Sequence, residues 1–228
     1  MDVFIPGPNQ GNIFVTALII LGLVLVSSKA KMLDRAGVFA AAVLGLTVGA
    51  LGHWTWLLIL LGFLLSAHKA TKWRFSEKLE RGMSESNDGH RSYDNVIANG
   101  GLPGIVAIFA FITEEWETGL WMFSAAVAVA ASDTFASEIG CLDDNVRMIT
   151  TFKPCEAGIN GGFSPSGQLA ALAGSALIGV LSFPAWYFTT GMTDLQIGLT
   201  LSAAVVVIGW LGCQMDSLLG ALLENRGF

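Results

Sequence analysis

Every lysine and arginine in this 228-residue chain, twelve in all, falls in alternate polar segments between its apolar stretches. Lys29, Lys31 and Arg35 follow the first stretch. Lys69, Lys72, Arg74, Lys78, Arg81 and Arg91 follow the third, Arg147 and Lys153 follow the fifth, and Arg226 lies in the tail. The charged residues of the other segments are acids: Asp2, then Glu114, Glu115 and Glu117, then Asp194. Cytoplasmic loops of membrane proteins are enriched in Lys and Arg. The pattern therefore predicts a polytopic chain with its N-terminus outside, its C-terminus cytoplasmic and its basic loops inside.

Composition agrees with a lipid-facing protein. The chain is 53% hydrophobic and 13% charged, with a mean hydropathy of +0.62, whereas a soluble domain is about 25% charged. The expected fold is an all-α transmembrane helix bundle, one integral membrane domain over 1–228. Seven spans are predicted, near 12–28, 36–52, 54–67, 95–113, 118–140, 165–188 and 195–215. A tight turn is expected at Gly49, Gly52 and His53. Trp54, Trp56, Trp116 and Trp121 lie near outer ends, as an aromatic belt would. No basic residue precedes the first apolar run, so a retained helix is expected rather than a cleaved signal peptide. Cys141, Cys155 and Cys213 show no CxxC spacing, and no structural zinc site is expected. No role is assigned to His53, His68 or His90, and no nucleic-acid partner is expected.

Two polar loops, 68–94 and 141–166, carry most of the chemistry-bearing residues. In the first, the run from Lys69 to Gly82 has helical spacing, with Glu77 and Arg81 as an i,i+4 pair. Span five ends in Ser132-Asp133-Thr134-Phe135-Ala136-Ser137-Glu138-Ile139-Gly140, after a run of small residues that lets helices pack closely. A carboxylate within a bilayer costs at least ~2.5 kcal/mol, so Asp133 and Glu138 are functional or paired. The hard oxygen set suits Mg²⁺, which takes one or two carboxylates plus substrate phosphates. The two acids lie about 140° apart on an ideal helix, so one ion bound by both needs a distorted helix end or a water. Capping and pairing with loop bases is the alternative role.

Three further stretches surround that motif. Ile149-Thr150-Thr151-Phe152-Lys153-Pro154 precedes a Gly-rich turn, Gly158 to Gly167, that contains Gly161, Gly162 and Ser164 and leads into span six. Such a turn can present backbone N–H groups and a positive dipole end to phosphate, with Arg147 and Lys153 adding charge. It is not a P-loop, and as a plain turn it needs no ligand. Arg91, with fork geometry suited to phosphate, precedes Asn95, Asn99, Gly100 and Gly101 at the start of span four. The two amides share a helix face, for a ligand or for helix–helix hydrogen bonds. Asp216 and Ser217 stand at the inner end of span seven, at the depth of Asp133.

These residues resemble a known family. TKxxxxxK (Thr71, Lys72, Lys78), RxxxNVxANGG at 91–101, SDTFASEIG, ITTxK at 149–153, GxxGGxSxxG at 158–167 and GxxxDSLLGA at 212–221 look like the phytyl-phosphate kinase and transmembrane protein 19 family. The match is collinear from about residue 34 to 224. The resemblance implies a multispan enzyme that phosphorylates a prenyl monophosphate to the diphosphate with Mg-CTP or another nucleoside triphosphate such as ATP. It implies that Asp133 and Glu138 hold Mg²⁺, and that Lys72, Lys78, Arg91, Lys153 and the backbone at Gly161 and Gly162 bind phosphates. Asn95, Asn99, Thr134, Ser137, Thr150, Thr151, Ser164, Asp216 and Ser217 would orient nucleotide or acceptor. Two departures stand out. Asn95 occupies a position where relatives commonly have Gln. Relatives often continue past DSLLGALLE with a further helix, so a neighbouring copy in a homo-oligomer is one way the site would be completed. Two other functions fit the same residues: a CTP-dependent lipid cytidylyltransferase, and a transporter with Asp133, Glu138 and Asp216 as an intramembrane ion site.

Overall fold

The computed structural model describes residues 3–84, 86, 88–191 and 194–223. Asp2 and Arg226 lie outside the described residues. Eight α-helices follow in order: α1 (Gln10–Ala30), α2 (Arg35–Leu46), α3 (Trp54–Lys72), α4 (Phe75–Glu80), α5 (Tyr93–Thr113), α6 (Trp116–Gly140), α7 (Pro165–Thr190) and α8 (Leu195–Leu223). Among the described residues, seven helical segments are long and apolar enough to cross a membrane: all of these but α4, with α2 extended to Gly52. In hydrocarbon a helix satisfies its own backbone, which is why each long apolar run takes this form. The first two helices start on oxygen caps. The Asn9 side chain accepts from Asn12 N at 2.9 Å, and that of Asp34 accepts from Gly37 N at 2.6 Å.

Two spans run five or more residues past their predicted ends. α3 continues to Lys72, because Lys69 and Lys72 in its last turn complement the carbonyl end of the helix dipole. α8 runs to Leu223 rather than 215. The expected turn at Gly49–His53 is a π-helical segment, Thr47–Gly52, ending at His53, which caps α3. Buried Asn12 holds it: its amide donates to Gly7 O at 2.8 Å and Gly49 O at 2.7 Å, and its carbonyl accepts from Trp54 N at 2.9 Å. Between α3 and α4 the chain turns at Arg74, which takes a left-handed φ of 49°. The expected Glu77–Arg81 pair forms at 2.9 Å.

Helix α6 is the centre of the bundle and packs on α3, α5, α7 and α8. Its small residues permit this closeness, as the run Ala125–Ala130 predicts. A methyl group on Gly174 of α7 would meet Ala131 O at 2.6 Å, and Ser132 donates to Ala171 O at 2.6 Å. The aromatic belt is only partly realised. Trp56 is fully buried and stacks on Phe123 with ring centroids 5.3 Å apart, because α3 turns this face to α6 rather than to lipid.

The basic loops gather at one end of the bundle. The α1–α2 turn bonds to the start of α5 through Asp34 N to Arg91 O and Arg91 N to Met32 O, each 3.1 Å. Arg81 reaches Asp144 across the two long loops at 3.2 Å. At the other end Trp186 donates to Glu117 at 2.8 Å. Basic and acidic segments are thus segregated to opposite ends.

Candidate active site

A cavity of about 270 Å³ opens at the basic end between α6, α7, α8 and the 158–164 turn. Asp133 and Ser137 line it from α6, one helical turn apart; Asp216 and Ser217 line it from α8; Asn160, Gly161, Gly162 and Ser164 close it. Close packing on α8 builds this wall. Gly161 has φ of 83°, and a side chain there would meet Ala221 Cβ at 2.3 Å and Ser217 O at 3.0 Å. Only glycine can take that backbone so near a helix. A short antiparallel hairpin carries the turn, with β1 (Arg147–Met148) against β2 (Gly162–Phe163) and Ile149 N donating to Gly161 O at 2.8 Å.

The structure separates the expected Asp133–Glu138 pair and brings Asp133 together with Asp216 instead. Helix α6 stays regular to Gly140, so Glu138 points away from the cavity wall. One Glu138 oxygen accepts from Thr71 of α3, and the other pairs with Lys78 Nζ of α4 at 2.7 Å. Arg91 Nη2 lies 3.9 Å from the first oxygen. Lys78 is 1% exposed and also donates to Ala70 O at 3.0 Å. This cluster ties α3, α4 and the start of α5 to α6. Among the described residues, no group of three or more His, Cys, Asp or Glu side chains is arranged to hold a metal ion.

The expectation of free N–H donors at the start of α7 is corrected. Pro165 has no N–H, Ser166 N donates to Asp143 at 3.1 Å, and Gly167 N to Ser164 Oγ at 3.1 Å. Gln168 N donates to Ser164 O at 2.9 Å. The first turn is therefore self-satisfied, and Ser164 acts as its cap. Asp143, which sequence reasoning passed over, also takes the Ser166 hydroxyl at 2.7 Å. The backbone N–H of Asn145, then the hydroxyl and N–H of Ser166, hold its carboxyl below the usual range. Its stabilising effect is therefore present above the ordinary Asp pKa and lost as pH falls through the depressed value. Asp143→Ala is expected to lower the unfolding temperature at pH 7 by more than it does in strong acid. Thermal unfolding of both proteins across pH checks this.

The other sequence candidates disperse. Lys153, Thr150 and Thr151 are exposed near the hairpin tip and line no part of the cavity. Thr134 is buried outside it. Lys72 is exposed, donates to Asp88 O at 2.6 Å and lies 5.0 Å over the Phe75 ring. Asn95 sits in the first turn of α5, where its side chain accepts from Ser92 N at 2.9 Å; Asn99 donates back to Asn95 O at 2.8 Å. Both amides line an apolar crevice with Arg91, and neither lines the carboxylate cavity. Gln168 lines that cavity without having been singled out, and bonds to Gln214 at 3.0 Å and Trp210 at 3.1 Å. A Gln in each of two apolar spans is the signal that marks this pair.

Comparison with known proteins adds to this geometry. An uncharacterized membrane protein of Methanocaldococcus jannaschii is 34% identical over 217 residues, 95% of this chain and 85% of its own length. Protein PGR of Arabidopsis thaliana is 29% identical, over 94% of this chain and 80% of its own. The chloroplastic protein VTE6 of the same plant is 32% identical over 85% of this chain and 57% of its own length. No solved structure matches the chain. The model of the family described as integral membrane protein DUF92 matches residues 18–228. The chain therefore belongs to the DUF92 family of integral membrane proteins, within which its similarity to PGR and VTE6 supports the phytyl-phosphate kinase kinship that its motifs carry.

Proposed function

We propose that this protein is an integral membrane kinase that phosphorylates a prenyl monophosphate to the diphosphate with Mg-CTP or another nucleoside triphosphate, at the cytoplasmic face. The observation that carries the reading is the cavity joining Asp133, Asp216 and the Gly-rich turn at the basic end of the bundle. Two carboxylates beside hydroxyls and close backbone suit Mg²⁺, which takes few protein oxygens and completes its shell with water and substrate phosphates. Asp133 and Asp216 would hold it, and when bound it supplies neutralisation of the nucleotide's phosphate charge.

The chain's own residues do the rest by positioning. The Gly161–Gly162 turn would border the triphosphate, with the Ser164 and Ser217 hydroxyls beside it, while Ser137 donates its own hydroxyl to Thr134 O at 3.1 Å. An oxygen of the lipid phosphate attacks the γ-phosphorus, the bond from that phosphorus to the β–γ bridging oxygen breaks, and the nucleoside diphosphate leaves. A phosphate monoester has its second pKa near 6, so the acceptor is already ionised and needs no strong general base. Orientation and charge neutralisation then suffice, consistent with no histidine lining the cavity.

The test uses purified protein with Mg²⁺, geranylgeranyl monophosphate and γ-³²P-labelled CTP or ATP. Label is expected in a lipid diphosphate. Pyrophosphate release with a CDP-lipid product would instead identify a cytidylyltransferase. Accumulation of solute in vesicles without nucleotide would identify a transporter.

A further inference from the structure

The carboxylate cavity carries acids but no cations. Among the described residues, no Lys, Arg or His lines it, and the side-chain N–H groups on its wall belong to Asn160 and Gln168. Asn160 is exposed on the turn, whereas Gln168 is half-buried at the start of α7. The rotation of the Gln168 amide is fixed by α8. An indole N–H only donates, so the 3.1 Å contact with Trp210 Nε1 must use the Gln168 oxygen. The nitrogen is thereby turned to Gln214, whose oxygen accepts one of its two protons at 3.0 Å. Gln214 is held in turn by its own donation to Trp210 O at 3.3 Å. Among the described residues the second Gln168 proton has no acceptor, and neither Asp133 nor Asp216 takes it. A donor oriented in advance stabilises developing charge without reorganising, and a helix holds it more precisely than a loop.

We propose that the second Gln168 N–H donates to a phosphate oxygen in this cavity, and that Trp210 and Gln214 are the residues that position it. The proposal rests on the kinase reading for the origin of that phosphate, the nucleotide or the lipid acceptor. A neutral amide suits the place. A lysine or arginine there would pair with Asp133 or Asp216 and compete with the metal they are proposed to hold. The competing role is adhesion, because side-chain hydrogen bonds also tie one membrane helix to another. The two roles rank variants differently. Gln168→Glu keeps an acceptor for Trp210 and loses the N–H, whereas Gln168→Leu loses both.

The test is equilibrium binding of β,γ-methylene-CTP and, separately, of geranylgeranyl monophosphate to protein in detergent with Mg²⁺. Gln168→Leu is expected to weaken whichever ligand places its phosphate there by about 10- to 100-fold. Gln168→Glu is expected to weaken it further, because an anion then faces the phosphate. Trp210→Phe, which frees the amide to turn, is expected to fall between Gln168→Leu and wild type. Adhesion alone predicts the reverse order, with Gln168→Glu near wild type and Gln168→Leu the weakest. In wild-type protein labelled with ¹⁵N-glutamine, the Gln168 side-chain amide signal is expected to shift on binding, a readout that requires no variant to fold. Loss for one ligand alone identifies the source of the phosphate. Wild-type affinity for both ligands in Gln168→Leu, weaker binding by Gln168→Leu than by Gln168→Glu, an unmoved amide signal, or no binding of either ligand by the wild type would each overturn the proposal. Binding in the expected order without phosphoryl transfer in the labelled-nucleotide assay would sustain it and sink the kinase reading alone.

Discussion

Asp133→Asn is expected to lower the turnover of prenyl-phosphate phosphorylation by about 1000-fold while leaving monodisperse, folded protein. The substitution keeps size and removes one negative charge from the cavity wall. Charge-stabilising groups at transfer sites are each worth about 10²–10³ in kcat, and loss of a carboxylate proposed to hold Mg²⁺ belongs at the upper end. Asp216→Asn is expected to fall about 100-fold, because Asp216 lines the same cavity and is the more exposed of the two. Turnover is read as label in the lipid diphosphate, and folding as the size-exclusion profile. Wild-type turnover in Asp216→Asn would remove α8 from the metal site and return attention to Glu138. Wild-type turnover in Asp133→Asn would remove the whole cavity from the chemistry.

Glu138→Leu is expected to destabilise the protein by about 3–5 kcal/mol, because it strands a buried cation. Lys78 is 1% exposed, and its ammonium bonds to Glu138 and Ala70 O. Adding Lys78→Met removes the stranded charge, and replacing both members of a buried pair by apolar groups is often neutral. The double variant is therefore expected to recover most of the lost stability. Thermal denaturation of the wild type, both single variants and the double variant in one detergent reads this directly. Additive losses in the double variant would mean that Lys78 and Glu138 do not act as a pair. If the double variant is stable, its turnover then separates a structural Glu138 from one that also touches substrate.

Hydropathy made the seven spans legible, because a helix that must satisfy its own backbone in lipid leaves a long apolar run. The gathering of the basic loops was legible for the same reason, through their alternation. Local devices with short sequence reach were also readable: the Glu77–Arg81 pair and the small-residue face of α6. What sequence could not supply was the rotation of one helix against another. Asp133 and Asp216 are 83 positions apart, and only the packing of α6 on α8 decides that they share a cavity. Lys78 and Glu138 are 60 positions apart, and each looks like a ligand-binding residue until the other is seen beside it. The 158–167 turn was expected to cradle phosphate with free N–H groups, but those at the start of α7 are already bonded. That failure traces to Pro165, Ser164 and Asp143, the last lying in a neighbouring loop whose proximity no periodicity encodes.

The central place of α6 has a consequence for how the molecule is made. Membrane helices enter the bilayer in chain order, and α6 is synthesised before α7 and α8, two of the four spans that enclose it. Until they arrive, the Ser132 hydroxyl lacks Ala171 O, and Asp133 lacks the walls that α7 and α8 give its cavity. The nascent chain thus passes through a stage with a polar helix face turned to lipid.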